Sequence, residues 1–305
     1  MVAPLTLAIT GATGFVGARL LDAALAEGHT VRALTRRVQD ARDGVTWIDG
    51  ALDRPASLAA LVKGADAVIH VAGVINAPGE AGFEAGNVIG TGAMLAAAET
   101  EGIARFVHVS SLAAREPQLS LYGASKARSE ALVAASPLST AIVRPPAIYG
   151  PGDRELLEMF KMAARGFVLL PPPGRLSLLH ADDLARLLLA LAAPGAPTGV
   201  RVEPDDGRAG GWTHVEFAEL LGTAVGRKVR TVSMPRLALA AAARADRLLR
   251  GAKAKLTPDR AAYFSHPDWV ADPASAVPAA LWRPEIGTEQ GLADTAKWYR
   301  AAGWL

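Results

Sequence analysis

The chain has 305 residues, half of them hydrophobic and a fifth charged, with a formal net charge of +2. That is enough apolar material for a substantial core, and it excludes wholesale disorder. The small excess of Lys and Arg forms no conspicuous basic run, so no nucleic-acid partner is expected. The chain has no cysteine, which removes disulfides, thiolate metal sites and a cysteine nucleophile; no metal ligand set is expected.

The opening stretch, Met1-Val-Ala-Pro-Leu-Thr-Leu-Ala-Ile-Thr10, lacks the basic n-region and small-residue cleavage site of a signal peptide. The purely apolar runs fall far short of the roughly 18 residues that span a bilayer. A cytoplasmic protein is the expectation.

In chain order, Leu5–Thr10 reads as a buried strand and Phe15–Glu27 as a helix, followed by strand Thr30–Thr35 and helix Pro55–Val62. Strand Ala67–Val71, helix Gly86–Glu101, strand Phe106–Ser110, helix Ser125–Ala135 and strand Thr140–Arg144 continue the alternation. The strands are short apolar runs bounded by turn residues, and the helices carry apolar residues at helical spacing. Such alternation implies crossover units and a parallel sheet covered on both faces, with ligand at the carboxyl ends of the strands. After Pro145 the regularity breaks at Pro171-Pro-Pro-Gly174 and Ala193-Pro-Gly-Ala-Pro197, with a helix expected over Asp182–Ala193. The fold class expected is α/β, a Rossmann-like doubly wound parallel sheet with a smaller C-terminal substrate-binding region. Residues 1–150, with a return segment at about 176–202, form the dinucleotide-binding domain, and 151–175 with 203–305 the substrate-binding region.

Thr10-Gly-Ala-Thr-Gly-Phe-Val-Gly17 lies where the first strand hands over to the first helix. Gly11 permits the tight turn, Gly14 lets backbone approach a pyrophosphate, and Gly17 lets helix pack on strand. Phosphate charge then meets the free N–H groups of the helix start, around Thr13, Phe15 and Val16. The second strand ends in Leu34-Thr35-Arg36-Arg37 rather than in a carboxylate. Arg36 can bind a 2′-phosphate, so NADP(H) is favoured, with NAD(H) remaining open.

Tyr122-Gly-Ala-Ser-Lys126 sets a phenol and an ammonium four residues apart, on one face of a helix beginning there. Carbonyl reduction needs that pairing: hydride arrives from a nicotinamide while a proton must reach the developing alkoxide. A nearby cation is expected to stabilise the phenolate and bring the tyrosine towards the working range. Ser111, ending Phe106-Val-His-Val-Ser-Ser111, is the second donor to the substrate oxygen.

With these motifs the chain resembles the extended short-chain dehydrogenases/reductases, the group containing sugar-nucleotide epimerases, dihydroflavonol-reductase-like and 3β-hydroxysteroid-dehydrogenase-like enzymes. The resemblance runs to about Ala190 and includes His70-Val-Ala-Gly73, Asn87-Val-Ile-Gly-Thr91, Arg144-Pro-Pro-Ala-Ile-Tyr-Gly-Pro-Gly152 and His180-Ala-Asp-Asp-Leu-Ala185. It implies that Val71, Ala72 and Gly73 line the cofactor, that Asn87 supports it, and that Pro145 and Ile148 contact the nicotinamide end. It also implies a structural rather than acid–base role for His180 and Asp182. Where the family often has Gly-Asp-Leu after the third strand, this chain has Gly50-Ala-Leu52, leaving backbone and Leu52 near the adenine. Ser111 is followed by Leu112-Ala-Ala, without the Asp-Glu pair of sugar-nucleotide dehydratases, and Pro145-Pro146 stands where sugar-nucleotide enzymes tend to carry Asn.

Both departures point away from sugar nucleotides and towards a hydrophobic ketone. The C-terminal third, rich in Ala and Leu with Trp212, Trp269, Trp282 and Trp298, suits an apolar pocket. It also resembles bacterial reductases of 3-keto-sphingolipids, the ceramide reductases, in Leu256-Thr-Pro-Asp-Arg260, Ser265-His-Pro-Asp-Trp269 and the Trp298–Leu305 ending. The expected activity is NADP(H)-dependent reduction of a ketone on a lipid or other small molecule. A sugar-nucleotide epimerase and a non-catalytic dinucleotide-binding subunit are the alternatives. Leu237–Ala243, with Arg236, Arg244, Arg247 and Arg250 around it, reads first as a core-packed helix, with peripheral membrane contact kept open. Homodimerisation stays open too.

Overall fold

The structure, a computed structural model, describes residues 3–251 and 256–305; the first two residues of the N-terminal stretch considered above lie outside it. The first half alternates strand and helix. Strands β1 (Thr6–Thr10), β2 (Thr30–Thr35), β3 (Val45–Asp49) and β4 (Ala67–His70) are interleaved with helices α1 (Phe15–Ala26) and α2 (Pro55–Val62). Then come α3 (Glu80–Phe83), a π-helical turn at Glu84–Ile89, α4 (Gly90–Glu101), β5 (Arg105–Val109), α5 (Leu121–Ala135) and β6 (Ser139–Val143).

Beyond β6 lie β7 (Ala147–Tyr149), α6 (Leu157–Ala164), β8 (Phe167–Leu170), β9 (Arg175–Leu176) and β10 (Leu178–His180). Helix α7 (Ala181–Ala192) leads to β11 (Val200–Val202), which pairs in parallel with β6. The remainder comprises β12 (Trp212–Thr213), α8 (His214–Val225), β13 (Arg230–Ser233), α9 (Arg236–Arg250), α10 (Pro258–Phe264), β14 (Asp268–Trp269) and α11 (Thr288–Ala301).

The main sheet has seven strands in the order β11-β6-β5-β4-β1-β2-β3, every neighbour parallel. Chain order reverses between β1 and β4, which is the switch point where a doubly wound sheet opens a ligand crevice. Strands β4 and β5 are buried from end to end, as sheet covered on both faces requires.

The chain packs as two units. The first comprises Met1–Pro145, Leu184–Glu203 and Val277–Trp282; the second comprises Pro146–Asp183, Pro204–Ala276 and Arg283–Leu305. In the first, Leu58, Leu61, Val68, Met94, Phe106, Val133 and Ile142 fill a core between sheet and helices. The second has its own core, built on Tyr149, Phe160, Phe217, Leu221, Leu292 and Tyr299. Tyr299 meets Phe160 edge-on at 5.1 Å and donates its hydroxyl proton to the Asp153 carbonyl at 2.8 Å. Trp212 belongs to that core and Trp298 packs against it.

Two differences from the expected elements bear on the site. Helix α5 begins four residues earlier than the periodicity predicts, because the Ser120 hydroxyl caps it by accepting from Gly123 N at 3.0 Å. The helix expected over Gly86–Glu101 begins at Glu80 and carries the π turn. A side chain at Gly86 would come 2.3 Å from Val74 Cγ2, so the widened turn lies where the loop after β4 presses on the helix.

Candidate active site

The glycine turn follows β1 directly. Gly11 has φ +75°, and a Cβ there would stand 2.8 Å from Ala72 N. Only glycine fits both the left-handed backbone and this approach. At Gly17 a Cβ would fall 2.0 Å from the Gly11 carbonyl oxygen, so α1 rests on the turn itself. No side chain caps α1 and no acid occupies its first turn, which leaves its N–H groups for an anion. Thr13 and Gly14 are exposed there, with Phe15 and Val16 half-buried behind them. These residues fit a dinucleotide pyrophosphate.

The turn is tied to the neighbouring strands by a chain of buried hydroxyls. Ala72 N donates to Thr10 Oγ1 at 3.1 Å; Thr10 Oγ1 lies 2.8 Å from His70 Nδ1. His70 Nε2 lies 3.1 Å from Thr91 Oγ1, which donates to the Asn87 carbonyl at 2.6 Å. One assignment satisfies every group: Thr10 donates to Nδ1, and the imidazole carries its proton on Nε2. Burial, with the nearby Lys126 charge, pulls the His70 pKa down to about 3, so this imidazole is neutral at ordinary pH.

Asn87 sits in the π turn, buried, with its whole amide engaged. Its Oδ1 accepts from Val74 N at 2.6 Å, and its Nδ2 donates to the Val74 carbonyl at 2.9 Å and to Ser125 Oγ at 2.8 Å. It therefore clamps the Val71-Ala72-Gly73 loop to α5. A Cβ on Gly73 would lie 3.1 Å from Asn87 Oδ1 and 3.8 Å from Lys126 Nζ.

Ser111, Tyr122 and Lys126 are brought together. Ser111 follows β5 and accepts from Ala113 N at 3.2 Å, opening a short 3₁₀ turn. The Ser111 hydroxyl acts on the Tyr122 phenol as a hydrogen-bonding neighbour that lowers its pKa. Tyr122 is half-buried in the first turn of α5, with Phe83 beside it at 6.3 Å. One turn on, the buried Lys126 donates from Nζ to the Val109 carbonyl at 2.7 Å.

The electrostatics differ from the sequence expectation in one respect. Burial raises the Tyr122 pKa above that of an ordinary phenol, and the Ser111 hydrogen bond only partly offsets the rise. The lysine is the more perturbed partner: burial lowers its pKa to about 8, against the Glu130 carboxylate, which holds it up. His108, likewise buried, has its pKa pulled well below the ordinary value, first by desolvation and then by Lys126 and His70.

Glu130 continues the face that carries Tyr122 and Lys126, another four residues on. It accepts from Ser110 Oγ at 2.5 Å and from Arg144 through two bonds of 2.8 and 2.7 Å, with Arg201 Nε at 3.2 Å. Glu203 joins Arg144 at 3.3 Å to Arg115 at 3.2 Å. Both carboxylates are almost wholly buried. The spacing of 122, 126 and 130 is a signal the sequence carried for Glu130; nothing local announced Arg144, Arg201 or Glu203 as its company.

The other expected cofactor contacts lie as follows. Arg36 and Arg37 are exposed at the end of β2. Asp49 is in register with Thr35, but its side chain is 84 % exposed and faces Arg54 at 4.0 Å. Leu52 packs where Gly90 leaves room for it. Pro145 is buried and accepts from Leu112 N at 3.1 Å. Ile148 belongs to the second unit, on β7 in register with Leu179. Also in that unit, His180 is buried edge-on to Tyr149 at 5.3 Å and accepts from Asp182 N at 3.2 Å.

A model of the NAD dependent epimerase/dehydratase family matches residues 7–200. The chain belongs to that family. It is an extended short-chain dehydrogenase/reductase with the doubly wound parallel fold expected of it, and by family an NAD(P)-dependent oxidoreductase. It is 41 % identical over 308 residues to a ceramide reductase of Caulobacter vibrioides, covering 98 % of this chain and 96 % of that one. A 4-hydroxy-2-methyl-3-oxo-4-farnesyl-3,4-dihydroquinoline-1-oxide ketoreductase of Stigmatella aurantiaca is 35 % identical over 181 residues, 52 % of this chain and 54 % of its own. Among solved structures, gox2253 superposes with a TM-score of 0.80 at 23 % identity, over 99 % of both chains. The Bordetella bronchiseptica enzyme WbmG in complex with NAD does so at 0.76 and 19 %, over 99 % of this chain and 96 % of its own. At those identities the structures speak to fold alone.

Replacing Glu130 with Gln would leave the Arg144 guanidinium half-compensated out of water and is expected to destabilise the protein by about 3–5 kcal/mol. Denaturant unfolding measures this as a lower midpoint with unchanged slope.

Proposed function

We propose that this chain is an NADP(H)-dependent reductase that converts a ketone to a secondary alcohol on a hydrophobic, 3-ketoceramide-type substrate. The observation that carries the reading is the Tyr122 phenol, with Ser111 acting on it and buried Lys126 one helical turn behind it. The ceramide reductase likeness, running over almost the whole of both chains, supports the substrate class.

When bound, the dinucleotide supplies the hydride. Gly11, Thr13, Gly14, Phe15, Val16 and Gly17 would hold its pyrophosphate, Leu52 its adenine side, and Arg36 its 2′-phosphate. Val71, Ala72, Gly73 and Pro145 would line the nicotinamide half, while Asn87 holds the loop of Val71–Gly73 in place from behind. Ser111 holds the carbonyl oxygen of the substrate, and Tyr122 delivers a proton to it. A phenol raised above its usual pKa remains protonated at neutral pH, which is the state a donor requires. Lys126, still largely charged at neutral pH, stabilises the phenolate left behind and binds ribose hydroxyls. Cytoplasmic placement fits a reaction drawing on NADPH. Among the described residues, no helix is long and apolar enough to cross a membrane.

The direct test is NADPH oxidation on a long-chain 3-ketoceramide, with NADH run in parallel. Turnover that favours NADPH is the expected outcome; none with either cofactor, despite measured NADPH binding, rejects the substrate class. Tyr122→Phe is expected to lower kcat by about 10²–10⁴-fold while leaving NADPH affinity unchanged. Arg36→Ala should weaken NADPH binding by about 10- to 100-fold and barely alter NADH binding, as calorimetry would show. Because the reaction uses the charged ammonium, kcat/KM for reduction should fall above about pH 8 as Lys126 deprotonates. In Glu130→Gln that falling limb should move to lower pH, since the carboxylate that holds the lysine up is gone.

A further inference from the structure

Helix α9 packs against a core on one face only. Its Leu239 and Ala243 meet Ala261 of α10, with Met234 and Leu256 closing over them. On the opposite side Leu237, Leu248 and Leu249 are 86 %, 87 % and 85 % exposed. At 3.6 residues per turn, these leucines and the exposed Ala238, Ala241 and Ala245 share about a third of the circumference. Single exposed leucines are ordinary on protein surfaces. Three on one face, nearly as exposed as in an extended chain and interleaved with alanines, make an amphipathic helix turned outwards.

The charge around this face is one-sided. Residues 227–250 hold seven basic side chains, at Arg227, Lys228, Arg230, Arg236, Arg244, Arg247 and Arg250, against a single acid, Asp246. The rest of the chain therefore holds 25 basic and 29 acidic residues, so the small positive net charge comes from this segment. Asp246 accepts from Leu256 N at 2.9 Å and pairs with Arg250 at 3.1 Å. Arg244 and Arg247 border the apolar face. Between α9 and α10 lies a recess lined by Arg236, Arg244, Ala240, Pro258 and Ser265, in which Arg236 Nη2 donates to the Ser265 carbonyl at 3.3 Å.

We infer that α9 seats the protein on an anionic lipid surface, its leucines entering the headgroup–acyl boundary and its arginines meeting lipid phosphates. Apolar residues on one side with basic residues along the border are what an interfacial helix requires. A second copy of the chain is disfavoured as the occupant, because a two-fold contact through this face would bring two arginine borders together. Nucleic acid is disfavoured because the helix offers leucine and alanine where a base would need an aromatic or polar partner. The inference does not rest on the reductase reading: it concerns a surface of the second unit, and its readout is binding.

The test is flotation of the full-length protein with vesicles of phosphatidylcholine alone, and of phosphatidylcholine containing about a third phosphatidylglycerol. The expected result is binding to the anionic vesicles only. It should be weakened about tenfold or more when salt rises from about 0.1 M to about 1 M and the Debye length falls from about 10 to 3 Å. Combined Leu237→Glu, Leu248→Glu and Leu249→Glu should abolish binding without altering the circular dichroism spectrum, and Leu248→Gln alone should weaken it. Wild-type protein that stays off anionic vesicles, or a triple variant that floats with them as well as wild type does, overturns the proposal. So does a wild-type dimer in sedimentation velocity that the triple variant converts to monomer without any vesicle binding, which would give the face to a second copy.

Discussion

An ammonium group withdrawn from water is the constraint on which the rest of the candidate site depends. Lys126 is almost wholly buried, and desolvation lowers its pKa to about 8 even with compensation from Glu130. Compensation comes from the Val109 carbonyl at 2.7 Å and from the field of Glu130, one turn along α5. Glu130 is itself buried, and its carboxylate is held in ion pairs. Arg144 grips it through two bonds, Arg201 adds a third cation, and Arg144 reaches on to Glu203 and Arg115. The alternating charges extend from the middle of the first unit to its half-exposed margin at Arg201. Each buried charge is tolerable only because the next one is present.

The two histidines beside the lysine fit the same logic. His70 and His108 stack at 5.5 Å on adjacent strands, and both are held neutral by burial first and by Lys126 second. Protonating either would set a second cation against the lysine. They serve instead as rigid hydrogen-bonding spacers: His70 between Thr10 and Thr91, and His108 against Ser129, whose hydroxyl donates back to the Lys126 carbonyl. The glycine turn and α5 are thereby linked through side chains of β1, β4 and β5, strands that parallel pairing already holds in register.

Much of this was legible in the sequence, because the signals are local. Strand β2 and helix α2 occur at the predicted bounds, and the glycine turn, Tyr122 and Lys126 lie on the elements their spacing implied, whereas Ser111 lies two residues past the end of β5, capping the 3₁₀ turn. What was not legible is either too short to have a period or set by burial. Strands β9, β12 and β14 are two residues each, below the length at which alternation can be recognised. The direction of the Tyr122 shift was misread because a neighbouring cation is visible in sequence whereas desolvation is not. The bonds from Glu130 to Arg144 and Arg201 join residues 14 and 71 positions apart, so the helix spacing marks only the carboxylate, and the fold alone brings its partners.

A net charge of +2 also conceals two opposite arrangements of charge. In the first unit Glu130 and Glu203 are surrounded by Arg115, Arg144 and Arg201, buried or half-buried, in a network whose charges largely cancel. Along residues 227–250 the basic side chains outnumber the acids seven to one, and most of them face solvent. Whole-chain charge averages these two populations and so reports neither. Burial separates them: cations inside need carboxylates within hydrogen-bonding distance to exist at all, whereas cations on an exposed helix are free to have their counter-charge on something else. An exposed leucine face beside such cations is why the counterpart inferred for it is an apolar surface bearing anions, an inference independent of what the site behind Tyr122 reduces.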